Sequence, residues 1–378
     1  MEQREASGVP IVREHRVLLS LYRAAPSGKL VLEREVPVTL DGAVTAVPQL
    51  KGAPAPDFLW PNGGDQAYCI VTLDPRSREF ARAHADRIPD ALARRGAWLS
   101  LWEMVRDRAM PADQWLSAFI ALAPLEPDAQ AVEGLFGKAM RIADRYLGEG
   151  QTTLAEALEK MAWKQLDAAK PESDEQKIWY AFAVETSCTA WAMARLKALL
   201  SGVGEPKTLQ MDPERRWHAL TQLCAHYGDA TLAMVEAEKA RDRSSLGQRR
   251  ALVAEAALED PVVKARVWTR ITTDATSSLD QLSGLMSGFH QPNQHLLSSV
   301  YVDGFFAAIP DLKAKHGQEF AVAFVRYLFP ANVITAEALK KAQDFLGAHA
   351  ELSPELHKPL VNETYELDLA LKIRSGVK

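Results

Sequence analysis

The sequence predicts a mainly α protein, an irregular α-solenoid of HEAT- or armadillo-like helix pairs preceded by a small antiparallel β segment. Three observations predict it. Apolar residues alternate with period two only in about the first fifty positions, and from Asp74 onward they fall in stripes at helical spacing. Pro or Gly then punctuates the chain roughly every 15 to 30 residues, at Pro111, Pro127, Gly148, Pro171, Gly202 and onward to Pro354.

The elements follow in order. Val17, Leu19 and Leu21 alternate with Leu18, Ser20 and Tyr22, the pattern of a strand buried on at least one face. Ser27-Gly28 reads as a turn, and Leu30–Leu40 reads as a second strand with Leu32, Val36, Val38 and Leu40 on one face. Asp41-Gly42 between apolar runs predicts a hairpin into Ala43–Val47. So few strands make a poor core, so the β piece is expected either to dock on the remainder or to belong to a larger sandwich. The Pro/Gly-rich 51–56 segment sets the expected boundary between a truncated β domain, 1–52, and a helical domain, 53–378. One more strand is expected at Ala67–Leu73, before helices begin at Asp74-Pro75, an N-cap followed by Pro at the first helical position. Trp98, Leu101, Trp102 and Val105 form one stripe, Trp217, Leu220, Cys224 and Tyr227 a second, and Val263, Val267 and Ile271 a third. About fourteen to sixteen helices with short links fit stacked antiparallel pairs, with a compact multilayer bundle as the competing architecture.

Composition excludes several classes. Of the 378 residues 47% are hydrophobic and 25% charged, enough apolar side chain for a sizeable core. The net charge of −5 argues against nucleic-acid and anionic-membrane partners, which are held by excess cations. Three scattered cysteines, Cys69, Cys188 and Cys224, fit a reducing compartment. The charged start, Met1-Glu2-Gln3-Arg4-Glu5, leads into no signal-peptide core, and no run approaches the roughly 18 apolar residues of a membrane span. A cytoplasmic protein is expected.

No catalytic constellation emerges. No His is followed by Glu, so the H-E-x-x-H zinc motif is missing, as are the Walker A loop, G-x-G-x-x-G and G-x-S-x-G; Ser287 between Gly284 and Gly288 has the wrong spacing. His290 and His295 flank Pro292 and cannot share a helix face, so a polar loop is the better reading than a metal pair. His316 and Glu319 could lie one turn apart, yet two ligands fall short of zinc's usual three or four. Cys188, within the apolar 184–191 run, reads as a packed core thiol. The tryptophans, Trp98, Trp102, Trp179 and Trp191 among them, read as core. The densest basic segment spans 241–250, where Arg241, Arg243, Arg249 and Arg250 could bind a carboxylate. The bland alternative is a charged inter-helix corner partly neutralised by Asp242 and Glu238.

Several strings together carry a family resemblance. His15-Arg16-Val17 through Tyr22, then Val36-Pro37-Val38-Thr39-Leu40-Asp41-Gly42, resembles the β-sandwich domain of bacterial aminopeptidase N. Pro56-Asp57-Phe58-Leu59-Trp60-Pro61-Asn62 and Tyr68-Cys69-Ile70-Val71-Thr72-Leu73-Asp74 resemble the start of that family's C-terminal helical domain. The Trp-rich stretch from Trp98 to Asp107, Met211-Asp212-Pro213-Glu214-Arg215-Arg216-Trp217, Ala240-Arg241-Asp242-Arg243-Ser244 with Gly247, and Gly288-Phe289-His290-Gln291-Pro292 are similar to later landmarks. One local departure is Gly63-Gly64, where family members often carry acidic residues.

The resemblance to zinc-dependent aminopeptidase N implies a division of labour. In that family zinc, its ligands and the catalytic Glu lie in a thermolysin-like domain, and the helical domain caps it around an internal chamber. This chain looks like the end of the β-sandwich plus the helical domain. It is therefore expected to lack catalytic and metal residues, to bind no cofactor itself and to be inactive alone. Its expected partners are its own catalytic domain and peptide substrate. Arg241, Arg243, Arg249 and Arg250 are the candidate contacts for the peptide's carboxylate. The alternative function is a stand-alone helical-repeat module that binds peptide or protein.

Overall fold

The computed structural model describes residues 1–3, 14–26, 28–148, 150–206, 208–274 and 276–376. Ser27 of the expected turn and Arg4 and Glu5 of the charged start lie outside the described residues. The chain divides into two compact units, residues 1–138 and 139–378, and the Pro/Gly segment 51–56 falls inside the first.

In the first unit three antiparallel strands, β1 (His15–Ala24), β2 (Leu30–Leu40) and β3 (Phe58–Trp60), pair in the order β2-β1-β3. Val17, Leu19, Leu21, Val36, Val38 and Leu40 pack together on one face, as their alternation predicts. Leu32 departs from that face. Leu21 pairs with Arg34 and Tyr22 with Leu32, so a bulge around Glu33 shifts the register by one residue and leaves Leu32 exposed.

Two expected strands do not form. Ala43–Val47 is not the second arm of a hairpin: Val44 makes a single antiparallel bridge with Glu2, flanked by bonds from Gln3 N to Ala43 O and from Thr45 N to Met1 O. Ala67–Leu73 is not a strand either. The Asn62 side chain takes both backbone groups of Ala67, donating to its carbonyl and accepting from its N–H at 2.9 Å each, where a neighbouring strand would have bonded. Tyr68, Cys69 and Ile70 follow fully or largely exposed.

Helices α1 (Pro75–His84), α2 (Ala91–Arg106) and α3 (Ala112–Leu122) complete this core, followed by α4 (Ala129–Arg141). Asp74 caps α1 by accepting from Arg76 N and Ser77 N, and Asp90 caps α2, each meeting amide donors that a helix start leaves unpaired. The stripe Trp98, Leu101, Trp102 and Val105 is buried, and Trp115 stacks on Phe119 with ring centroids 5.5 Å apart. Arg94 holds Glu126 through two bonds and also donates to Ile88 O.

The second unit opens with a π-turn at Ile142–Tyr146. Its helices are α5 (Thr152–Ala168), α6 (Asp174–Thr186), α7 (Ala190–Leu200), α8 (Pro213–Tyr227), α9 (Leu232–Arg241), α10 (Ser245–Ala257) and α11 (Pro261–Thr273). They continue as α12 (Leu279–Phe289), α13 (His295–Ser299), α14 (Val302–His316), α15 (Gln318–Leu328), α16 (Ala336–Ala348) and α17 (Pro354–Arg374). The described residues thus hold seventeen α-helices, above the expected fourteen to sixteen, because α13 is a short extra turn after Pro292 and Gly317, at φ 87°, separates α14 from α15. That break also parts His316 from Glu319, so they do not share a helical turn.

Stacking follows the solenoid pattern. Helices α6, α8, α10, α12, α15 and α17 each touch the next of that series, and α14 touches α16 in a second layer. The last helix returns to the first segment of the unit: Glu366 accepts from Arg141 at 3.0 Å, and Arg374 Nε donates to Arg145 O at 2.8 Å.

Helices α10 and α12 approach most closely at two glycines one turn apart. A Cβ on Gly284 would sit 3.2 Å from Arg249 O, and one on Gly288 would collide with Val253 O. Backbone cannot swing aside as a flexible side chain can, so Gly288→Ala is expected to cost about 1–3 kcal/mol, read as a lowered urea midpoint.

Candidate functional site

The basic segment lies where α9 turns into α10. Arg241 ends α9, and the Arg243 Nε donates to Ala240 O at the corner. Arg249 and Arg250 lie one turn into α10 and face different neighbours: Arg249 pairs with Asp280 of α12 at 3.2 Å, and Arg250 with Glu214 of α8 at 3.5 Å. Arg241 has no side-chain partner among the described residues, so Arg241 and Arg243 keep most of their donors open to solvent.

The corner itself is held by Asp242 and Glu238, read from the sequence as neutralising the basic segment, and by Arg216, Trp217 and Gly247, whose role the sequence reading did not assign. Asp212 caps α8 by accepting from Arg215 N at 2.9 Å, with Pro213 at the first helical position. Arg216 and Trp217, in the first turn and a half of α8, both reach towards α9. Arg216 makes three bonds to the Glu238 carboxylate at 2.7–3.0 Å and one to Leu200 O, and Trp217 Nε1 donates to Asp242 at 3.0 Å. Asp242 also accepts from Ser244 N and Oγ, and these bonds hold its carboxyl below the usual carboxylate range. Gly247 is needed at this corner because a Cβ there would lie 2.6 Å from Asp242 O. The Asp-Pro-Glu-Arg-Arg-Trp and Arg-Asp-Arg-Ser strings are therefore two halves of one lock.

A second polar set spans four stacked helices. Helices α8, α10, α12 and α15 present their C-terminal carbonyls to one group of side chains. Gln294 donates to Ala225 O and Ala257 O, Asn293 to Ala225 O, and the Lys264 ammonium to Ala256 O at 2.6 Å and Phe289 O at 2.5 Å. The His290 Nε2 donates to Leu328 O, and its Nδ1 accepts from Ser298 Oγ at 2.8 Å. These are the carbonyls that a helix end leaves without partners. Burial, and then the nearby Lys264 charge, push His290 down to about 3, which fixes it as a neutral ring with both nitrogens engaged. Burial lowers Lys264 to about 7, against the pull of Glu259.

Cys188 differs from its reading as a packed thiol. Helix α6 ends at Thr186, and Cys188 sits exposed in the link to α7. Glu159 reaches under this link and accepts from Cys188 N, Thr189 N and Thr189 Oγ1 at 2.6–2.8 Å. Lost hydration, and then the Glu159 charge, push the thiol up to about 12, so it is a poor nucleophile. Trp191 is half-exposed, edge-on to Trp163, whereas Trp98, Trp102 and Trp179 are buried as expected. Tyr227, last of its predicted stripe, lies partly exposed beneath Lys197. Asp144 is a carboxyl the sequence did not single out; burial, and then the Glu185 charge, raise it to about 7.

A zinc site does not fit the described residues. No group of three His, Cys, Asp or Glu among the described residues is placed to hold a metal, and the His290 nitrogens are already committed. No helix among them is long and apolar enough to cross a membrane.

Comparison with known proteins adds two findings. Residues 58–366 match the family described as the ERAP1-like C-terminal domain. Aminopeptidase N of Streptomyces lividans is 29% identical over 378 residues, covering 98% of this chain and 43% of that protein. The chain thus spans less than half the length of this relative.

Proposed function

This chain belongs to the ERAP1-like C-terminal domain family, and on that premise we propose that it is the helical cap of a zinc aminopeptidase acting in the cytoplasm. The match over residues 58–366 carries this reading. In it, the chain covers a catalytic domain, bounds a chamber that admits peptides and excludes folded proteins, and limits access to the zinc held by that domain. Enclosure strengthens charge interactions with bound peptide, and remote contacts help to orient it. The return of α17 to the start of the second unit supports a wall stiff enough for that role. Arg241 and Arg243, with open donors, are the proposed contacts for a peptide carboxylate; Arg249 and Arg250 would have to exchange their acidic partners to join them.

The test supplies this chain in trans to the part of the Streptomyces lividans aminopeptidase N that it does not match. Association and a rise in peptide turnover are expected. Replacing Arg241 and Arg243 together by Ala should raise KM for a short peptide about three- to tenfold with kcat unchanged, the signature of lost uniform binding. Failure to associate, or turnover by this chain alone, defeats the reading.

A further inference from the structure

We propose that the joint between the π-turn Ile142–Tyr146 and α17 is a pH-sensitive clasp, in which Arg145 exchanges Glu363 of α17 for Asp144 when Asp144 loses its proton. The closed joint ties the end of α17 to the turn. Arg374 donates to Asp144 O at 3.3 Å and to Arg145 O at 2.8 Å. Glu366 accepts from Arg141 at 3.0 Å and from the Tyr146 hydroxyl at 3.5 Å.

Arg145 is the poorly bonded member. Its side chain is 13% exposed, and it approaches Glu363 only to 3.7 Å, beyond hydrogen-bond range. Its Nε and Nη2 are buried and have no acceptor among the described residues. These two N–H groups form the edge of the guanidinium that grips a carboxylate through paired bonds. A buried cation bonded so incompletely is costly, and it favours any anion that can fill that edge.

Asp144 supplies the anion. Its carboxyl has no hydrogen-bond partner among the described residues. Burial, and then the Glu185 charge on α6, raise it to about 7 against the pull of Arg145, so below that pH it is a neutral acid. The other charged groups around the joint are Glu363, Glu366 and Arg374 of α17 and Arg141 at the end of α4. Glu159 and Glu156 of α5 act on the same region through Cys188, whose thiol also feels Asp144. Once ionised, Asp144 repels Glu185 and requires donors, which the open edge of Arg145 offers.

The exchange is coupled to the backbone. Adjacent residues do not face each other on a helical turn, so Asp144 and Arg145 meet only if the turn shifts. That shift moves the two carbonyls that Arg374 holds and draws Arg145 away from Glu363, which frees the end of α17.

Hydrogen exchange of the whole chain between pH 5 and pH 9, corrected for the intrinsic pH dependence of exchange, tests this. The closed joint keeps the Asp144 proton up to about pH 7, whereas the open one releases it from about pH 4. Exchange near Arg374 should therefore quicken by up to about tenfold per pH unit as pH rises towards 7, then level off. Asp144→Asn, a neutral group of the same shape, should stay slow throughout. Glu185→Gln, at an exposed position, should move the levelling to lower pH. Glu363→Gln removes the closed partner and should quicken exchange already at pH 5. Exchange that ignores pH, a rise that survives Asp144→Asn, or no response to Glu185→Gln or Glu363→Gln overturns the proposal. These readouts need neither zinc nor a catalytic domain, so their failure leaves the cap reading standing.

Discussion

Glu238→Ala is expected to destabilise the second unit by about 3–5 kcal/mol, because it strands the Arg216 guanidinium in a buried site. The Arg216 side chain is 11% exposed and that of Glu238 5%, and three of the Arg216 bonds end on this one carboxylate. Removing the anion leaves a largely buried cation that Leu200 O alone cannot compensate. Arg216→Ala should cost a similar amount from the other side. The Arg216→Met, Glu238→Leu double variant should recover most of the loss, since a buried pair adds little over well-packed apolar residues. Lys340→Ala, by contrast, should cost under about 1 kcal/mol, because its pair with Asp344 is solvated and screened. Urea midpoints of the four variants separate these cases. A Glu238→Ala midpoint no lower than that of Lys340→Ala would show that the α8–α9 lock carries no stability.

Lys264→Met should be the second large effect, and it should depend on pH. The ammonium is 1% exposed and serves two helix-terminal carbonyls, Ala256 O and Phe289 O, which the Met thioether leaves unpaired at about 1–3 kcal/mol each. With its pKa lowered to about 7 in the fold from an ordinary value near 10.5, Lys264 binds a proton in the unfolded chain but not in the folded one between those limits. Folding therefore releases a proton in that window, and the wild type gains stability as pH rises through it. The stability of wild type minus that of Lys264→Met should grow by about 1.4 kcal/mol per pH unit above pH 7 and be flat below it. A difference that does not change between pH 7 and pH 9 would mean that Lys264 keeps its proton in the fold.

Much of the architecture was legible in local sequence because its causes are local. Asp74-Pro75 and Asp212-Pro213 announce helix starts through a carboxylate that meets free amides and a ring that needs no donor. The stripe at Trp98 follows from 3.6-residue periodicity alone. Misreadings fell where a distant or competing group took over. Asn62 captured the backbone of Ala67 and cancelled a strand whose composition called for one. A one-residue bulge opposite Tyr22 turned Leu32 outward. Glu159, far back in sequence, holds the link that exposes Cys188.

The candidate site divides in the same way. Its charges, Arg241 and Arg243, are visible in sequence, but their availability depends on which acids fold against them, and that pairing separates Arg249 and Arg250 from Arg241. The Asp-Pro-Glu-Arg-Arg-Trp and Arg-Asp-Arg-Ser strings were conspicuous as text, while their meaning as one lock required Trp217 and Asp242 to meet across a helical hairpin. By itself, then, the sequence determined the helical class and the helix starts, since propensity, capping and periodicity act over a few residues, while its strings carried the family resemblance. The tertiary structure alone decided which charges are buried in pairs, which stay open, and where four helix ends share one polar set. Those outcomes depend on desolvation and close approach between segments that the chain separates by tens of residues.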